Sequence, residues 1–111
     1  MAALDLTGAA GPIHTKRASL EAVSGNVRQI QLPSWCRVFT IVFKTSANAD
    51  DSGRIASAGT DAAAIGNDIF PVPSGSAIEI PIASISTGTR SIYVTGDAGG
   101  GYGYLLLQAA K

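Results

Sequence analysis

Glycine and proline interrupt this chain so often that a helix of ordinary length has nowhere to form. Thirteen glycines and five prolines are spread over 111 residues. Each proline removes a backbone donor, and each glycine raises the entropic cost of order. The longest stretch free of both runs from Ser34 to Ser52. Inside it, Arg37 to Lys44 reads RVFTIVFK, rich in β-branched and aromatic residues and bounded by polar ones. That is strand composition.

Other segments follow a period of two. Ile30 and Leu32 alternate with Gln29 and Gln31, Ile78, Ile80 and Ile82 with Ala77, Glu79 and Pro81, and Ile92 and Val94 with Ser91, Tyr93 and Thr95. Successive side chains on a strand point to opposite faces, so each set buries one face and wets the other. With weaker segments near 15–23, 53–58, 62–71 and 102–109, the pattern predicts about eight short antiparallel strands. The expected fold is an all-β sandwich with a jelly-roll arrangement. Turn residues fall at Ser24-Gly25-Asn26, Asp51-Ser52-Gly53, Ser74-Gly75, Thr87-Gly88 and from Asp97 to Gly101. Ala62, Ala63 and Ala64 after Asp61 leave room for one helical turn as an alternative. The expected core is Leu20, Val27, Ile30, Leu32, Phe39, Ile41, Phe43, Ile55, Ile78, Ile80, Ile82, Ile92, Val94 and part of Leu105, Leu106 and Leu107.

At 11.3 kDa the chain suffices for one domain. Residues 14–111 are expected to form the sandwich. Residues 1–13 read as an N-terminal arm, small and nearly uncharged, which reaches onto a neighbouring subunit or is a loosely ordered terminus. The start lacks a basic stretch followed by an apolar run and cleavage site, so no secretory signal is expected. No window holds the ~18 uninterrupted apolar residues that span a bilayer, so no membrane partner is expected either.

The residues restrict the chemistry. A lone cysteine, Cys36, excludes an internal disulfide framework and a cysteine-rich zinc site. His14 is the only histidine and so the only conventional base for a serine or thiol nucleophile. Cys36 opens the most apolar strand, as a small buried hydrophobe does. Glu21 and Glu79, the only glutamates, alternate away from apolar neighbours and read as solvent-exposed rather than as a catalytic pair. Asn48 to Gly53 begins like a calcium loop, but the twelfth position, where a glutamate would close it, is Gly59. A polar hairpin tip is the better reading. No catalytic residue, metal site or cofactor is expected. Balanced charge, with Lys16-Arg17 the only adjacent basic pair, argues against nucleic acid. Trp35, Tyr93, Tyr102 and Tyr104 leave a sugar-binding platform open, with Tyr102 and Tyr104 on one strand face.

Charge carries the functional expectation. Only 14% of the residues are charged, against about 25% in an ordinary soluble domain. The wet faces are written in Ser, Thr, Ala, Gly and Gln, with few of the charges that guard exposed strands. Such a surface suits an obligate homo-oligomer or a component of a larger assembly, with a monomer of mild neutral surface as the alternative. The residues offered for partner contact are Leu4, Leu6, Ile13, Tyr93, Tyr102 and Tyr104, with the glycine-rich tip near residue 100.

Four segments carry a resemblance. They are Leu32 to Phe43 (LPSWCRVFTIVF), Gly59-Thr60-Asp61 with Ile65 to Val72 (IGNDIFPV), Ser74 to Ile82 (SGSAIEIPI) and Arg90 to Gly96 (RSIYVTG). Together they span residues 32–96, and the chain resembles the capsid decoration (cement or staple) proteins of tailed bacteriophages, including those of epsilon15-like phages. The resemblance implies a small β-sandwich or jelly roll on the outer capsid surface of the virion. It implies a non-enzymatic protein, made in the host cytoplasm, that clamps neighbouring subunits of the major capsid protein and acts as a homodimer or homotrimer. No residue role transfers position by position. A phage tail or fibre module that binds host-surface glycans is the alternative.

Overall fold

The computed structural model describes residues 3–20, 27–57, 68–82, 90–98 and 100–110, and among them the chain is all β. The strands are β1 (Leu4–Asp5), β2 (Ile13–Ser19), β3 (Arg28–Leu32), β4 (Val38–Lys44), β5 (Gly53–Ala56), β6 (Phe70–Val72), β7 (Ala77–Pro81), β8 (Arg90–Gly96) and β9 (Tyr102–Gln108). They form two sheets, ordered β1-β3-β8-β5-β6 and β2-β9-β4-β7, packed as a β-sandwich. Every strand pair is antiparallel except β1 with β3. The chain changes sheet at every connection but the one from β5 to β6.

The alternation seen in the sequence sets the core. Phe39, Ile41 and Phe43 of β4 are buried between the sheets, whereas Thr40, Val42 and Lys44 face outward and are half-buried. Ile30 and Leu32 of β3, Ile92 and Val94 of β8, and Leu105 and Leu107 of β9 bury the same way. Val27, Ile78, Ile80 and Ile82, expected in the core, are only half-buried. For Ile78 and Ile80 the cause is position, since β7 is the last strand of its sheet and has one neighbour, β4. Cys36 is buried as its setting suggests, and Ala18 and Val72 join the core beyond the expected set.

The turn after β4 lies earlier than the sequence suggests. The Thr45 amide donates to Ala49 O at 2.9 Å and the Asn48 amide to Thr45 O at 2.9 Å, with Asn48 at φ 64°. Asparagine tolerates that left-handed conformation better than most residues. Gly53, expected in a turn, instead opens β5. A Cβ on it would lie 2.5 Å from the Phe43 ring, so glycine here is a requirement of sheet-to-sheet contact.

The N-terminal segment packs on its own chain over Leu4 to Ala9. Leu4 and Asp5 pair with Ile30 and Gln31, and the Leu6 amide donates to Gln31 O at 2.9 Å. Leu6 is 6% exposed and belongs to the core. The Trp35 indole Nε1 donates to Ala9 O at 2.8 Å, and Gly11 lies so close to the Trp35 ring that a Cβ would sit at 2.8 Å. An apolar segment this small gains more by covering an indole than by remaining in water. The expected turns at 24–26 and 87–88, the helical turn at 62–64 and most of the segment 62–71 lie outside the described residues.

Candidate interaction face

Of the exposed large hydrophobic side chains among the described residues, Ile13 and Tyr104 lie on the outer face of the β2-β9-β4-β7 sheet, and Phe70 lies on β6 of the other sheet. Residues paired across strands project to the same side, so the register defines the rows. Arg17, Tyr104, Val42 and Ala77 form one row, and Thr15, Leu106, Thr40 and Glu79 the next. Ile13, Gln108, Val38 and Pro81 form a third. Ile13 is 61% and Tyr104 39% exposed, while Val42 and Leu106 are half-buried. Between them lies a shallow groove of about 480 Å³, lined in part by Thr15, Thr40, Val42, Tyr104 and Leu106. The face is thus apolar and hydroxyl-bearing along β9 and β4, with Arg17 toward one margin and Glu79 toward the other.

Local contacts hold the aromatic side chains. The Arg17 guanidinium lies 4.5 Å from the centroid of the Tyr102 ring, within cation–π range. The Tyr104 hydroxyl donates to Asn48 Oδ1 at 3.3 Å, which ties the face to the turn after β4. That end of the molecule is polar, as expected for a hairpin tip. Lys44 Nζ meets Asp50 Oδ1 at 2.7 Å. Asp51 accepts the amides of Ser52 at 2.8 Å and Ala98 at 3.1 Å. The Ser52 hydroxyl donates to Asp97 Oδ2 at 2.6 Å. At the N-terminus the Thr7 hydroxyl and amide both donate to Asp5, which lowers its pKa from the ordinary carboxylate value.

Of the six residues expected at partner contacts, the structure brings Ile13, Tyr102 and Tyr104 to this one face. Tyr93 lies on the other sheet, paired with Gln29 and Ala56. Leu6 is buried and Leu4 packs against the core, so both are used within the chain. The four aromatics therefore do not converge on a single sugar platform, because Trp35 is also committed, to Ala9 and Gly11. Sequence reasoning missed Val42, Leu106 and Arg17 as members of the face. Their signal was present in the outward positions of β4, β9 and β2, but only the pairing order shows that those positions adjoin.

Cys36 is placed as a structural group. Cys36 is fully buried, with its thiol directed at Val38 O at 3.4 Å, and burial pushes the thiol pKa up. A thiolate nucleophile needs the opposite shift. Native Cys36 is expected to react with iodoacetamide roughly 100-fold or more slowly than in urea-unfolded chain, because labelling must wait for opening. Because the folded thiol keeps its proton when the unfolded one has lost it, stability should fall as the pH rises past about 9. Urea titrations at stepped pH check this, and a Cys36→Ala variant should lose that part of the slope. Glu79 is exposed on β7, and Glu21 lies outside the described residues. Among the described residues, no three His, Cys, Asp or Glu side chains gather as a metal site.

A scan against protein-family models returns no match, and a search of curated proteins likewise finds no match to the chain.

Proposed function

We propose that this protein is a non-enzymatic virion component that decorates a tailed-phage capsid and stabilises it by clamping neighbouring subunits of the major capsid protein, as a homo-oligomer on the outer surface. The observation that carries the reading is the outer face of the β2-β9-β4-β7 sheet, which presents Ile13, Tyr104, Val42 and Leu106 where a free-standing sandwich would present charge. Burying such a face in an assembly removes apolar surface from water, about 25 cal/mol for each Å² covered. Contact with two subunits at once multiplies a modest affinity, because the second contact forms at high effective concentration.

Strand order supports the architecture that goes with this role. Sheets ordered β2-β9-β4-β7 and, beyond β1, β3-β8-β5-β6, with a change of sheet at nearly every connection, favour a jelly-roll arrangement of the sandwich. The resemblance of residues 32–96 to decoration proteins points the same way.

Binding to shells is the test. Purified protein is mixed with heads assembled from the cognate major capsid protein alone, sedimented, and the bound copies counted by mass spectrometry. The expected result is saturation at a fixed ratio to capsid subunits and a raised temperature of shell disruption. Protein that stays in the supernatant at about 10 µM, an ample concentration for a micromolar contact, overturns the reading.

A further inference from the structure

A β-sandwich has four sheet edges, and three of them here are blunted. β1 is two residues long. β6 has three residues with Pro71 in the middle, and β7 ends at Pro81. Short strands and proline are the usual means of closing an edge to further pairing, because they leave few free amides in line. The fourth edge, β2, is different. It has seven residues, IHTKRAS, with neither proline nor glycine, and pairs in unbroken register with β9 along its whole length. Its far side has no strand neighbour among the described residues.

Lys16 is the feature of β2 that this geometry makes distinctive. The core-facing positions of the strand are His14, Lys16 and Ala18, since they pair with Leu107, Leu105 and Gly103, all buried on β9. Ala18 is buried as that pattern requires, yet Lys16 is exposed. A lysine at such a position keeps its ammonium in water by laying its aliphatic stem along apolar surface. Among the described residues Lys16 makes no ion pair. Neither β2 nor β9 carries an acid, while β2 contributes Lys16 and Arg17.

We propose that the open edge of β2 is a strand-addition site for an extended segment that bears a carboxylate opposite Lys16, and that Lys16 keeps two copies of β2 from pairing with each other. A strand added there places a side chain about 5 Å from that of Lys16 on the same face. It also covers the route by which the ammonium reaches water. A desolvated ammonium requires a counter-charge, so an acidic residue at that position is accepted and an apolar or basic one rejected. Self-pairing fails for the same reason. The antiparallel register of full overlap sets Lys16 against Lys16 of the other copy, and like charges directly opposed are destabilising. This inference stands on the edge alone, whether or not the virion reading holds.

Two capped peptides, TVTETVT and TVTKTVT, provide the test with the full-length protein. The glutamate peptide is expected to bind at least about tenfold more tightly than the lysine peptide and to slow hydrogen exchange of β2 amides. Lys16→Glu should invert that preference. Lys16→Thr should add a concentration-dependent species of twice the parent mass in sedimentation. Lys16 is exposed, so both variants should keep the parent melting temperature. Equal affinities for the two peptides, no binding of either at millimolar concentration, or binding without protection of β2 each overturns the strand-addition site. A Lys16→Thr chain with the parent's sedimentation profile overturns the role of Lys16 against self-pairing.

Discussion

Gly53→Ala is expected to cost about 3 kcal/mol, at the upper end of the range for overpacking a filled core. For a chain of this length that is roughly 10 °C in melting temperature. The added methyl would lie 2.5 to 2.6 Å from three carbons of the Phe43 ring, inside any real contact distance. Neither partner has room to yield, because Phe43 is itself fully buried and Gly53 is held in the ladder between β6 and β8. The decisive comparison is a double-mutant cycle. Phe43→Leu alone should destabilise, yet Gly53→Ala should cost less in the Phe43→Leu background than in the parent, because the smaller side chain vacates the clash. Strict additivity of the two changes in urea melts would mean that the ring is not the obstacle.

Deleting residues 1–12 should be the other large effect, a loss of about 3–5 kcal/mol. Most of it comes from Leu6, since removal of a buried leucine side chain typically costs 2–5 kcal/mol. The remainder is the β1 pairing with β3 and the cover that Ala9 and Gly11 provide to the Trp35 indole. Leu6→Ala alone should reproduce more than half of the loss, and Trp35 fluorescence should shift to longer wavelength in the truncated chain as the indole meets water. An unchanged urea midpoint after truncation would show that the segment's packing contributes nothing. For the proposed capsid role the consequence is practical. A truncated chain that fails to bind shells would report a damaged fold, so the face is better probed at exposed Tyr104 or Ile13.

The strands that the sequence revealed most clearly are those whose alternation is carried by large apolar side chains. Phe39, Ile41 and Phe43 in β4, Ile30 and Leu32 in β3, and Ile92 and Val94 in β8 lie buried where their spacing placed them. Where alternation was weak, as in the Gly53–Ala56 segment, a strand could be suspected but not its environment. Gly53, Arg54, Ile55 and Ala56 are all buried, a pattern that no period-two reading anticipates. Gly53 was read as a turn residue because glycine usually is one. Its actual reason, the Phe43 ring on the facing sheet, lies in another strand. Leu4 and Leu6 suggest a contact for another subunit because the segment around them is small and nearly uncharged, whereas the partners of Leu6 are supplied by β3 and the core.

Local chemistry alone therefore determined that this chain makes strands rather than helices, and which side of the best ones turns inward. Alternation is a property of a single strand and needs no knowledge of its neighbours. Tertiary structure decided the rest: that Thr15 stands beside Leu106 and Thr40 beside Glu79, that β2 is left as the long open edge, and that the first residues close their own core. Those outcomes depend on contacts between residues far apart in the chain. Their energies come from apolar surface that exists as one surface only after the sheets have formed.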